Sequence, residues 1–267
     1  MPASRRVHPS TLWQVGQFRT ERGDRPGDAA RFAELLALPE LPRSSAYDPV
    51  WIWWNHMGPN VLWLTELLTH RFDLRARSRV LDLGCGTALS SIFLAREFNV
   101  EVWATDLWIS ATDNQRRIAE AQLQDVVFPI HAEAHELPFA DEFFDVLISV
   151  DAYHYFGATP DYLGYCSRFV RPGGVIAVLV PIHGGDRSRE PTIHSAQWWQ
   201  RLWDATPCVD VQRVETLPGG WELWHRFCEA AAAWDGHHRV AGVPDGPLLL
   251  AERELGFAEM LARRTAS

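Results

Sequence analysis

The chain has 267 residues, a net charge of −9 and a pI near 5.6, with 47% hydrophobic and 22% charged residues. That is globular composition, too apolar for a disordered chain, and its acidity disfavours general binding to phosphate backbones. The longest apolar run, Gly174 to Ile182, is far short of the roughly 20 residues needed to cross a bilayer.

The residues near the N-terminus carry Arg5 and Arg6 without an apolar segment, so no signal peptide is expected. All 25 basic residues are arginine, which removes lysine Schiff-base and lysine general-base chemistry from consideration. Cys85, Cys166, Cys208 and Cys228 are far apart and form no CxxC. They read as reduced thiols of a cytoplasmic protein, with no metal site and no disulfide framework.

In chain order, residues 1–47 are rich in Arg, Pro and polar residues and are interrupted by one helical pattern, Asp28 to Leu38. They are expected to form a partly ordered extension ahead of a single domain at 48–267. A Trp-dense turn follows at Trp51 to Met57, then a helix with Val61, Leu62, Leu64, Leu67 and Leu68 at helical spacing.

From Arg79 to Pro181, the expected core, short strands alternate with helices. Strands are predicted at Arg79 to Leu83, Val100 to Thr105, Val126 to Ile130, Phe144 to Val150 and Val175 to Val180. Helices are predicted at Ala88 to Phe98, Thr112 to Gln124 and from Thr159-Pro160 to about Phe169. Arg171-Pro172-Gly173-Gly174 reads as a tight turn. Such alternation implies an α/β fold, a Rossmann-like, mostly parallel sheet with helices on both faces. The C-terminal part, 182–267, reads as a cap or lid. It has helices at Ser195 to Ala205, Trp221 to Trp234 and Leu248 to Leu255, a polar loop at Asp235 to Gly246, and strands at Val209 to Val214 and Phe257 to Arg263.

The strongest motif is Asp82-Leu83-Gly84-Cys85-Gly86-Thr87-Ala88. Glycines here let a ligand approach the backbone at the end of the first strand. A dinucleotide fingerprint needs a third glycine where Leu89 stands, and the Asp82 carboxylate would repel a pyrophosphate. Asp82 suits a cationic ligand group instead, directly or through water. Asp106 ends the next strand, placed to accept ribose hydroxyls. The ligand has the outline of a nucleoside with a diol and a cationic end.

With Glu133-Ala134-His135-Glu136-Leu137-Pro138-Phe139, Phe144-Asp145 and Arg171 to Gly174 following in order, the stretch from Val80 to Pro181 resembles class I S-adenosylmethionine-dependent methyltransferases. The likeness is to the small-molecule branch with quinone methyltransferases and cyclopropane-fatty-acid synthases. The resemblance implies a seven-stranded sheet with helical caps and S-adenosylmethionine as cofactor. By it, Gly84, Cys85 and Gly86 face the methionine part and Asp106 the ribose. Leu107 and Trp108 lie by the adenine, Glu133 or the Ala134 amide meets the adenine amine, and Val150 closes the cofactor side. The sequence departs from the family pattern at Ala88, often glycine, and at Glu133, often aspartate.

The acceptor would sit beyond the strand ending at Val150, near Asp151, Tyr153, His154 and Tyr155. His154 is the candidate general base, with Asp151 orienting it or binding the acceptor, and His183 is the alternative base. Cyclopropane synthases place a glutamate where His154 stands, so cyclopropanation is disfavoured. Trp53, Trp54 and His56 are expected to wall an apolar acceptor. Trp198, Trp199, Trp203, Trp221 and Trp224 are candidates for a lid.

The expected activity is methyl transfer from S-adenosylmethionine to a small acceptor, aromatic or heteroaromatic and from secondary metabolism. No nucleic acid or membrane partner is expected, and a homodimer is left open. The alternatives are a non-catalytic S-adenosylmethionine-binding module and an NAD-dependent oxidoreductase.

Overall fold

A computed structural model describes residues 29–183, 192–235 and 255–266. Seven strands form one sheet: β1 (Arg79–Leu83), β2 (Glu101–Asp106), β3 (Val127–His131), β4 (Phe144–Val150), β5 (Val170–His183), β6 (Val209–Thr216) and β7 (Leu255–Arg264). Their spatial order is β3-β2-β1-β4-β5-β7-β6. β1 to β5 are parallel, and β7 runs antiparallel between β5 and β6. The expected seven-stranded, mostly parallel sheet is therefore present. Strand order reverses between β1 and β4, and in such sheets a ligand crevice opens at the carboxyl ends of the strands that flank this reversal.

Helices α3 (Val61–Thr69), α4 (Leu89–Phe98) and α5 (Ala111–Glu120) pack through Leu64, Leu68, Ile92 and Ile118 on one face of the sheet. Helices α6 (Pro160–Ser167) and α7 (Ala196–Asp204) bury Tyr162, Leu163, Trp199 and Trp203 on the other. Both sheet faces are thus covered, which explains the unbroken burial of β4 from Val146 to Val150. A third cluster joins α1 (Ala29–Leu36), α2 (Pro49–Asn55) and α8 (Gly220–Asp235) through Phe32, Trp53, Phe227 and Trp234. Residues 29–47, placed in the extension from composition, are fastened there. The buried Glu66 carboxylate accepts from the Arg43 amide, the Ser44 amide and the Ser44 hydroxyl at 2.6–3.1 Å.

Two local expectations are corrected. The Trp-dense segment is a helix, not a turn. Asp48 caps it by accepting from the Val50 amide, and Pro49 presets its first turn. Arg171 to Gly174 is a bulge within the continuous strand β5. Phe144 pairs with Val170 but Val146 pairs with Val175, so the extra residues loop out, aided by Gly173 at φ +74°. The expected helix at Leu248 to Leu255 and the polar loop from Gly236 onward lie outside the described residues, except that Leu255 begins β7.

Candidate active site

The glycine loop leaves β1 at the reversal point. The Gly84 and Cys85 amides both donate to the Thr105 carbonyl at the end of β2. Gly84 (φ +76°) and Gly86 (φ +54°) occupy left-handed backbone conformations. A Cβ on Gly84 would collide with that of Ala152, just past β4, and one on Gly86 would lie 2.8 Å from Met57 Sδ. Both glycines are therefore demanded by close approach as well as by φ. Ala88, where relatives often carry glycine, also adopts a left-handed conformation (φ 63°) while fully buried. A glycine at this position would be free of that strain.

Asp82 is buried, and its Oδ2 accepts from the Ser90 and Ser91 hydroxyls at 2.6 Å each. Its carboxylate clamps the first turn of α4 to β1. Burial pushes its pKa up to about 6 against the lowering effect of the serines.

Asp106 accepts from the Trp108 and Ile109 amides through Oδ1 (2.7 and 2.9 Å) and from the Gly86 amide through Oδ2 (2.8 Å). Of roughly four lone-pair positions on a carboxylate, three are taken, so in this arrangement Asp106 has room for one strong hydroxyl donor. Leu107 and Trp108 are exposed beside it, and Trp108 packs on exposed Tyr155 with ring centroids 5.3 Å apart. Glu133 spends its carboxylate on His135, taking the backbone amide at 2.8 Å and Nδ1 at 2.9 Å. The Ala134 carbonyl is held by the Tyr162 hydroxyl. At this position it is the Ala134 amide, rather than Glu133, that has no hydrogen-bond partner among the described residues.

At the acceptor end, Asp151 follows β4 in a left-handed conformation (φ 56°), its amide donating to the Leu179 carbonyl. Its carboxylate faces the loop after α2, where a Cβ on Gly58 would stand 2.7 Å from Oδ2. It makes no hydrogen bond or ion pair among the described residues, and burial pushes its pKa up to about 7. His154 is only 3% exposed, its Nδ1 has no partner, and burial pulls its pKa down to about 3. Burial therefore favours its neutral imidazole.

Several expected acceptor residues belong to the core instead. Tyr153 is fully buried among Phe156, Tyr162, Trp199 and Trp203. Trp53 stacks on His56, and His56 meets Phe227 edge-on while Nδ1 bonds the Trp53 carbonyl. Trp54 packs against the same third cluster. Helix-spaced aromatic residues here fill the gap between α1, α2 and α8. Trp199, Trp203 and Trp224 are core residues, not a lid. His131 bonds the Leu107 carbonyl and His135 pairs with Glu133. Val150 is buried at the end of β4. His183 ends β5, and its side chain is outside the described residues.

Asn55, Met57, Asn114 and Ala152 meet the glycine loop, Gly58 faces Asp151 and Arg117 bridges Asn55 to Asn114, contacts that no local sequence pattern marks. Asn55 and Arg117 are 62 residues apart, and no periodicity links them.

The methyltransferase domain family matches residues 80–174. The chain is 34% identical over 129 residues to 27-O-demethylrifamycin SV methyltransferase of Amycolatopsis mediterranei, covering 46% of this chain and 47% of that protein. It is 30% identical over 150 residues to methyltransferase GfsG of Streptomyces halstedii, covering 56% and 51%. The chain thus spans about half the length of these curated relatives. Geranyl diphosphate C-methyltransferase of Streptomyces coelicolor A3(2) superposes with a TM-score of 0.65 at 17% identity, over 92% of this chain and 88% of that one. The [4+2]-cyclase SpnF superposes with a TM-score of 0.62 at 21% identity, over 80% and 84%. No helix among the described residues is long and apolar enough to cross a membrane. Residues 80–174 thus match a methyltransferase domain, on a glycine loop and a sheet order that resemble those of class I S-adenosylmethionine-dependent methyltransferases.

Proposed function

We propose that the protein binds S-adenosylmethionine across the carboxyl ends of β1 and β2 and methylates a small acceptor held beyond β4. The observation that carries this reading is the meeting of two elements at the strand-order reversal. The cofactor-type loop, at Gly84, touches Ala152, and the neighbouring Asp151 carries a carboxylate without a hydrogen bond or ion pair among the described residues. The cofactor supplies an electrophilic methyl on a sulfonium, which departs as a neutral thioether.

The protein's residues do the rest. Gly84 and Gly86 leave space for the methionine part, Asp106 takes one ribose hydroxyl, and the Ala134 amide is available to the adenine edge. Asp151 accepts the O–H or N–H of the acceptor, aligns its lone pair with the methyl carbon and receives the proton as the new bond forms. Only the ionised form can do this, and burial raises the Asp151 pKa to about 7, so activity rises with pH through that value.

An aromatic or heteroaromatic acceptor is supported by the exposed Trp108–Tyr155 pair at the mouth, and secondary metabolism by one relative named for 27-O-demethylrifamycin SV. The acidic net charge also fits a small molecule better than a nucleic acid.

Fold alone does not decide chemistry, so the test starts from the cofactor. Calorimetric titration with S-adenosylhomocysteine, with NADH as control, should show saturable binding of the first and none of the second. The reverse result would overturn the cofactor assignment.

A further inference from the structure

A polar network ties the loop that covers the site to the cofactor loop and ends on Asp106. Arg117, on α5, is half-buried, and burial lowers its pKa. Its guanidinium makes no ion pair among the described residues. It donates instead to two neutral amides, through Nε to Asn55 Oδ1 (3.0 Å) and through Nη1 to Asn114 Oδ1 (3.1 Å). Asn114 Nδ2 in turn donates to the Gly86 carbonyl at 2.8 Å, and the Gly86 amide donates to Asp106 Oδ2 at 2.8 Å. A second branch closes the ring, since the Thr87 hydroxyl donates to the Asn55 carbonyl. Two residues beyond Asn55, Met57 stands against Gly86, and Gly58 against Asp151.

Partial burial of a cation against neutral partners is a poor way to gain stability. It does hold three chain segments in one geometry: the end of α2, the glycine loop and the start of α5. The Gly86 peptide sits at the centre, gripped at its own carbonyl by Asn114 and at its amide by Asp106.

We propose that Asn55, Asn114 and Arg117 are positioning residues for the cofactor. They fix the Gly86 peptide and thereby the aim of Asp106, and they seat the Met57–Gly58 strap over the site. The inference rests on the cofactor reading above and concerns residues with no direct part in the chemistry.

The test is calorimetric titration of the full chain with S-adenosylhomocysteine at a temperature well below unfolding. Arg117→Ala and Asn55→Ala should each weaken binding roughly tenfold, the range expected for one or two lost hydrogen bonds to a charged group. The double variant should be no worse than about twofold beyond either single one, because both remove the same network. Asn55→Asp, which keeps the acceptor for Arg117 but loses the Nδ2 donation to the Trp51 carbonyl, should lose clearly less affinity than Asn55→Ala. In the free protein, amide exchange over residues 84–88 should quicken in Arg117→Ala.

Arg71→Ala breaks an ion pair to Glu259 outside this network and should lower thermal stability without changing affinity. If Arg117→Ala does not fold, Asn55→Ala against Asn55→Asp decides the matter alone. Affinities within twofold of the wild type, or losses that multiply in the double variant, would overturn the proposal. Failure of the wild type itself to bind would strike the cofactor reading instead.

Discussion

The two halves of the site treat their polar groups differently. On the cofactor side every acid has internal partners: Asp82 holds two serine hydroxyls, Asp106 three amides and Glu133 its neighbouring histidine. On the acceptor side, Asp151 has no hydrogen bond among the described residues, and His154 Nδ1 is buried without a partner. Internal bonding organises a binding loop in advance, so that little order is lost when a ligand arrives. A buried polar atom without a partner, such as His154 Nδ1, raises the energy of the free protein, and a carboxylate without an internal bond stays available to a ligand.

The largest effect that could break this contrast is on rate. Asp151→Asn should lower kcat roughly 10²–10⁴-fold in any methyl-transfer assay that the wild type supports. It should also abolish the rise in activity through pH 7. A near-normal rate would return the acceptor side to pure positioning.

Gly84→Val should come next. Forcing a branched residue into φ +76° against Ala152 costs about 2–5 kcal/mol of folding stability, combining left-handed strain with overpacking. Denaturant unfolding would measure it.

Asp106→Ala should weaken S-adenosylhomocysteine binding by about 1–3 kcal/mol, as loss of a charged hydrogen-bond acceptor. Unchanged affinity in a folded variant would remove Asp106 from the cofactor assignment.

A subtler sharpening uses pH. Burial raises Asp82 in the folded state to about 6, above its unfolded value, so the folded protein binds the proton more tightly. Its contribution to stability is then present at low pH and lost as pH rises through about 6. Asp82→Asn should flatten the stability profile between about pH 4 and 6, as read by thermal unfolding across that range. A steeper fall in the variant would contradict the burial argument.

The smallest effect belongs to the exposed rim. Tyr155→Ala should change folding stability by no more than about 0.5 kcal/mol. Any effect of this substitution should appear in acceptor KM rather than in cofactor affinity.

Much of the fold was legible because its signals are local. β1 and β4 match their expected spans residue for residue, since a strand buried on both faces reads as a short apolar run bounded by turns. Helix ends at Thr159-Pro160 and Ser195 follow from side-chain and proline chemistry within a few residues. The glycine loop and Asp106 were legible for the same reason, because spacing along one strand–turn–helix unit carries them. The aromatic residues misled. Trp53, His56 and Tyr153 have the composition of a binding wall, but an aromatic face says nothing about whether a ligand or another helix covers it.

The amino-acid sequence by itself determined the alternating strands and helices, the cradle at Gly84 to Gly86 and the acid at the end of β2. These depend on backbone conformation and short-range periodicity. Only the tertiary structure decided which polar groups are already satisfied. It gave Asp82 to two serines, buried His154, left Asp151 without a hydrogen bond among the described residues and joined Asn55 to Arg117. Hydrogen-bond satisfaction and desolvation depend on segments brought together from distant parts of the chain, and no local pattern records that meeting.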